Sequence, residues 1–123
     1  TFAGHVVVED FAVVGGLAAV HQFCRIGKMS IIGGCSKVVQ DVPPFMLADG
    51  NPAQTRTINK IGMERNGISE EVQGALKQAY KILFREGLTV SNALARMEKE
   101  LPPFPEIQHL VRFTRTSERG IAK

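Results

Sequence analysis

The sequence predicts a parallel β-helix followed by a small set of α-helices, and three observations predict it. Val8, Val14, Val20, Ile26, Ile32 and Val38 recur every six residues, with Phe2 in the same phase. Four residues after each leading position stand small or slender residues: Val6, Ala12, Ala18, Cys24, Ser30, Ser36 and Val42. Beyond residue 50 that period vanishes and stripes of helical spacing replace it. A helix repeats at three and four residues and a strand at two, so neither accounts for six. A sustained hexad is the signature of short strands wound around a prism and stacked in coils. An ordinary meander of buried strands would place its turns irregularly.

Within the hexads, the leading branched residues belong inside the prism and the slender ones at its tight corners. Gly15, Gly27 and Gly33 each follow a leading residue. There glycine is expected to supply close backbone approach and the unusual φ of a corner. The repeat runs out at "QDVPPFMLADGNPAQTR", where Pro43, Pro44, Gly50 and Pro52 are expected to stop regular pairing. Residues 1–50 are therefore assigned to β-helix coils and 51–123 to an α-helical domain.

"TINKIGMERNG" reads as a short helix with Gly67 as its C′ residue. Ser69 caps the next helix, "EEVQGALKQAYKILFRE". Glu70 and Glu71 suit its positive end, Arg85 its negative end, and Val72, Leu76, Ala79 and Leu83 form its apolar stripe. Gly87 ends it. "TVSNALARMEKEL" repeats the pattern through Val90, Leu94, Met97 and Leu101. The last helix starts near Pro105, buries Ile107, Leu110 and Val111, and ends before Gly120. Such helices can cover the last coil of the prism.

Composition bounds the rest. The chain has 123 residues, 44% of them apolar, enough for one compact unit or two small ones. No apolar run approaches the length of a membrane span, and no signal peptide is visible. The chain begins inside a hexad, with an uncapped end, and reads as a piece whose earlier coils lie upstream. Cys24 and Cys35 read as buried free thiols, which fits a reducing compartment. Neither they nor His5, His21 and His109 match a zinc template. Residues 1–50 carry three basic and four acidic side chains, and residues 51–123 twelve and eight. The cationic excess thus lies in the helical half, where it suits an acidic or phosphate-bearing partner or simply a solvated helical face.

The stretches "AGHVVVEDFAVVGGLAAVHQFCRIG", "IIGGCSKVVQDVPPFMLADGNPA", "INKIGMERNGIS" and "RTSERG" together resemble the UDP-N-acetylglucosamine O-acyltransferase family, over nearly the whole chain. The resemblance implies a left-handed β-helix with three six-residue faces per coil, assembled as a homotrimer in the cytoplasm with active sites between subunits. It implies transfer of an (R)-3-hydroxyacyl group from acyl carrier protein to the 3-hydroxyl of UDP-N-acetylglucosamine, the first step of lipid A biosynthesis. No cofactor, metal, nucleic acid or membrane span is implied. A histidine would act as general base, and a backbone N–H would hold the oxyanion.

By resemblance, Gly4 matches the glycine whose amide faces the oxyanion and His5 a residue lining the sugar-nucleotide site. His21 and Gln22 match residues near the acyl and sugar groups. Gly34 matches the position limiting acyl length, and as glycine it implies a longer chain. Asn59 and Arg65 match nucleotide contacts, Arg suiting diphosphate oxygens. With eighteen residues per coil, His5 stacks against position 23, close to His21, and paired strands of adjacent coils lie about 4.8 Å apart. On spacing alone each is a polar surface residue, and the resemblance makes both site residues. His109, beside Leu110 on the last helix, reads as a surface side chain.

The sequence also departs from the family. The family's general base belongs to a His-Asp pair one coil before His5, outside this chain, so the chain alone is expected to show negligible turnover. A basic pair is here Arg65–Asn66, and an acidic residue near the nucleotide is replaced by Ile61. Three other readings compete: a lipid A N-acyltransferase, a non-catalytic trimerisation and nucleotide-binding module, and a hexapeptide-repeat metalloenzyme of the carbonic anhydrase kind. The last requires three converging histidines. "VHQFC" and "GGCSKVVQDVPP" favour the O-acyltransferase.

Overall fold

A computed structural model describes residues 4–123. Six two-residue strands open it, at the hexad spacing: β1 Val7–Val8, β2 Val13–Val14, β3 Ala19–Val20, β4 Arg25–Ile26, β5 Ile31–Ile32 and β6 Lys37–Val38. They pair in parallel as β1–β4, β2–β5 and β3–β6, so three faces stack. Val8 faces Ile26, Val14 faces Ile32 and Val20 faces Val38, a coil of eighteen residues. The interior holds the leading residues Val20, Ile26, Ile32 and Val38 with the slender Ala18 and Cys24.

The corners depart from expectation. Gly15, Gly27 and Gly33 do not have positive φ. The left-handed conformation instead recurs every six residues on His5, Phe11, Leu17, Phe23, Met29 and Cys35, and again on Phe45. Each such non-glycine residue costs about 1–2 kcal/mol, a strain the stacked coils must hold in place. The glycines serve close approach. A Cβ on Gly15 would lie 2.6 Å from the Gly34 nitrogen, and one on Gly27 2.3 Å from the Pro44 nitrogen.

The last coil is shorter. Ile26 bridges Val42 and Ile32 faces Ala48, both sixteen residues apart. Val42, expected at a corner, therefore lies on a face opposite Ile26. Pairing does not stop at the prolines. β7 (Met46–Gly50) adds to the β5 edge in parallel, and β8 (Ala53–Ile58) returns antiparallel with a shift between Leu47 and Ala48. Gly50 is the last residue of β7, paired with Ala53 across the turn at 51–52.

Four helices follow: α1 Lys60–Arg65, α2 Glu70–Phe84, α3 Val90–Glu100 and α4 Pro105–Arg115. The expected features at Ser69, Gly67, Gly87 and Pro105 form, and Thr89 adds a further cap. Ser69 accepts from the Val72 N–H, Thr89 accepts from the Asn92 N–H, Pro105 opens α4, and Gly67 and Gly87 take positive φ after helix ends. The helices form a second core around Leu76, Leu83, Leu94, Met97 and Leu110, which continues onto Met29, Phe45 and Met46 of the prism. Among the described residues no helix is long and apolar enough to cross a membrane.

The C-terminal tail closes one face. Asp41 is buried and pairs as an isolated parallel bridge with Ile121. Its carboxylate accepts from the Arg25 N–H at 2.8 Å and from the Ser117 hydroxyl at 2.6 Å. The Arg25 guanidinium lies over the Phe113 ring, 4.1 Å from its centroid, and donates to Thr116 Oγ1.

Candidate functional site

The expected site residues fall on three parts of the surface. One is the corner between the third and first faces, where Gly4–His5 stack over Gln22–Phe23. The His5 carbonyl accepts from the Phe23 N–H at 2.9 Å, and the His5 and Phe23 rings lie parallel, centroids 5.6 Å apart. His21 enters this same turn, its carbonyl accepting from Cys24. Gly4, His5, His21, Gln22 and Phe23 are all exposed. A Cβ on Gly4 would meet nothing within 4 Å. The expected nearness of His5 to the His21 turn follows from the eighteen-residue coil. Phe23, whose ring stacks on the His5 imidazole, stands one eighteen-residue coil after it.

Gly34 sits at a different corner, between the second and third faces, exposed and stacked under Gly16. Asn59 and Arg65 occupy a third place. They line one open groove on the second face with Phe11, Val13, Ile31, Leu47 and Ile61. Phe11, Val13 and Ile61 are exposed apolar side chains there. One prism thus carries the candidate residues on separate edges.

The surroundings of Asn59 and Arg65 differ sharply. Asn59 is buried and its amide is used internally: Nδ2 donates to the Met29 carbonyl at 2.8 Å and Oδ1 accepts from Gly62 N–H at 3.1 Å, capping α1. Gly62 is glycine because a Cβ there would lie 2.2 Å from Asn59 Nδ2. Arg65 is exposed in the last turn of α1, with no ion-pair partner among the described residues. Asn59 therefore fixes the helix that presents Arg65.

Two sequence readings are corrected here. Cys24 is buried, and burial pushes its thiol pKa up, but Cys35 is exposed at a corner. Both are free. His109 is not a surface side chain: half-buried, it lies with Nε2 2.9 Å from Glu9 Oε1 and its ring edge-on to Phe45. Its sequence neighbours gave no sign of this, because Glu9 is one hundred residues away. Among the described residues no group of three His, Cys, Asp or Glu could hold a metal ion.

Residues 41–122 match the family described as UDP N-acetylglucosamine O-acyltransferase, domain 2. An acyl-[acyl-carrier-protein]–UDP-N-acetylglucosamine O-acyltransferase from Aliivibrio fischeri strain MJ11 is 46% identical over 123 residues, covering 100% of this chain and 47% of the relative. The crystal structure of LpxA, a UDP-N-acetylglucosamine acyltransferase from Bacteroides fragilis 9343, superposes with TM-score 0.94 at 38% identity, covering 96% of this chain and 46% of that one. LpxA from Acinetobacter baumannii gives TM-score 0.95 at 43% identity, covering 99% and 48%. The chain spans about half the length of the curated relatives it matches. The hexad prism, the capping helices and the match over residues 41–122 lead to one assignment: the chain belongs to the UDP-N-acetylglucosamine O-acyltransferase family.

Proposed function

We propose that the complete protein transfers an (R)-3-hydroxyacyl group from acyl carrier protein to the 3-hydroxyl of UDP-N-acetylglucosamine, in the cytoplasm and as the first step of lipid A biosynthesis. The supporting observation is the stacked corner, where Gly4 and His5 sit one coil from His21 and Gln22. The sugar hydroxyl oxygen attacks the thioester carbonyl, a C–O bond forms, the C–S bond breaks, and the carrier leaves as a thiol. The Gly4 N–H donates to the oxygen that becomes negative. His5, His21 and Gln22 orient sugar and acyl group. By the family resemblance, a histidine general base takes the proton of the attacking hydroxyl and returns it to the leaving sulfur, and neither His5 nor His21 is proposed for that role.

Residues 1–50 are proposed as coils of a left-handed β-helix and 51–123 as the helical domain. The separation of the corner, Gly34 and the Arg65 groove on one prism supports a homotrimer. In it, the exposed apolar groove of one copy meets the corner of the next, and Arg65 reaches the diphosphate. Exposed Lys77 and Lys81 on α2 offer cationic surface to the acidic carrier protein. The test is acyl transfer by the complete protein from a hydroxyacyl-carrier thioester to UDP-N-acetylglucosamine, followed by product mass. No product with this pair of substrates would sink the reading.

A further inference from the structure

The His5 imidazole is exposed at its corner, and one neighbouring ring restrains it. The Phe23 ring lies nearly parallel to it, with 8° between the planes and 5.6 Å between the centroids, an offset stack. Among the described residues no hydrogen bond or ion pair reaches the imidazole, so this stack is what restricts its rotamers. The backbones are joined as well, since the Phe23 N–H donates to the His5 carbonyl at 2.9 Å. Phe23 thus holds both the peptide and the ring of a residue that the acyl-transfer reading sets against the sugar nucleotide.

Nothing in the turn itself calls for an aromatic side chain at position 23. Its φ is 69°, a conformation that bulky residues rarely take. The same corner position carries Leu17, Met29 and Cys35, each also at positive φ. Nor does the ring fill the prism core. Phe23 is 61% exposed, while the next residue, Cys24, is buried inside. A large apolar ring is therefore held on strained backbone and mostly outside the core, with the His5 ring stacked on it.

We propose that Phe23 is a positioning residue for the transfer, acting through His5. The proposal rests on the acyl-transfer reading above. The flat ring confines the imidazole to one orientation, in which it meets the sugar nucleotide and aligns the sugar hydroxyl with the thioester carbonyl. An imidazole free to turn would hold the sugar in several poses, few of them reactive. Stacking aligns two planes, and a branched aliphatic side chain of similar bulk offers apolar area without that alignment.

The test compares the complete wild-type protein with Phe23→Leu and Phe23→Tyr, each also made with His5→Ala. Phe23→Leu keeps the apolar bulk and the backbone hydrogen bond and loses the flat face. Its kcat/KM for UDP-N-acetylglucosamine should fall by about threefold to tenfold, the range of one aromatic pair. Phe23→Tyr, which keeps a ring, should stay within about twofold of wild type. With His5→Ala in place, Phe23→Leu should cost nothing further. If His5→Ala leaves too little transfer to follow, calorimetric affinity for UDP-N-acetylglucosamine across the same four proteins should show the same coupling. An unchanged kcat/KM in Phe23→Leu, an equal loss in Phe23→Leu and Phe23→Tyr, or the same loss with and without His5 overturns this proposal alone. Dissociation of the oligomer in Phe23→Leu also overturns it, because the ring then packs against a second copy. A wild-type protein that transfers no acyl group removes the acyl-transfer reading, and the proposal falls with it.

Discussion

Glu9 Oε1 lies 2.9 Å from His109 Nε2 and also accepts the Lys28 N–H at 2.9 Å, so one carboxylate joins two coils of the prism to the last helix. His109→Ala removes this tie and the edge-on contact with Phe45. The expected loss is about 1–2 kcal/mol of folding stability. Urea unfolding measures it, and His109→Gln should recover part. A midpoint unchanged in His109→Ala would show that the pair contributes nothing.

Asn59 and Arg65 should separate cleanly. Asn59→Ala removes the α1 cap and leaves the Met29 carbonyl without its partner, at a cost of about 2–3 kcal/mol. Arg65→Ala should leave stability within about 0.5 kcal/mol. It should weaken UDP-N-acetylglucosamine binding by about tenfold or more in calorimetric titration of the complete protein. Equal affinity for wild type and Arg65→Ala would remove Arg65 from the nucleotide site.

Gly27→Ala should be among the most damaging single-methyl additions in the prism. The new Cβ would lie 2.3 Å from Pro44 N and 2.6 Å from Pro44 Cα, both backbone atoms that cannot rotate away. About 3 kcal/mol of stability should be lost. Thermal unfolding beside Gly16→Ala, where the space is open, gives the internal control.

The two thiols should react unequally. At mildly alkaline pH, iodoacetamide should modify Cys35 in the native protein and reach Cys24 only on unfolding, read by intact mass. Burial raises the Cys24 pKa above its ordinary 9.0, while Arg119 opposes the rise. The folded state therefore keeps the proton longer than the unfolded chain does. The stability associated with that proton is intact below pH 9 and declines as pH rises through the folded value. Cys24→Ala should flatten this decline; an identical alkaline slope in both proteins would rule Cys24 out as its source.

The prism was legible because its period is independent of any distant contact. Val8 through Val38 mark faces of six residues, and the three faces per coil that the family resemblance implies give the eighteen-residue register observed. The helix caps were legible for the same reason, since Ser69 acts three residues away on Val72. What escaped was set by tertiary contact. The sixteen-residue last coil depends on pairing of Ile26 with Val42, and the β7–β8 return on the hairpin turn at 51–52. The positive φ values fall on His5, Phe11 and Leu17 and not on Gly15 or Gly27, which stand where backbones nearly touch. Among the candidate site residues, the spacing of His5 and His21 was readable. The internal use of the Asn59 amide was not, since its partner Met29 lies thirty residues upstream.

A coiled solenoid has no inherent length, because every finished turn is a template for another. Here β8 runs backward along one edge, and the tail at Ile121 lies across another face beside Asp41. Together they act as a terminator for the wound repeat at this pole. Duplicated hexads could enter this lineage only as whole eighteen-residue turns spliced in ahead of Val42, never as turns appended after Ala48. The stack therefore has a direction in which it can evolve or be engineered longer, and a direction in which it cannot.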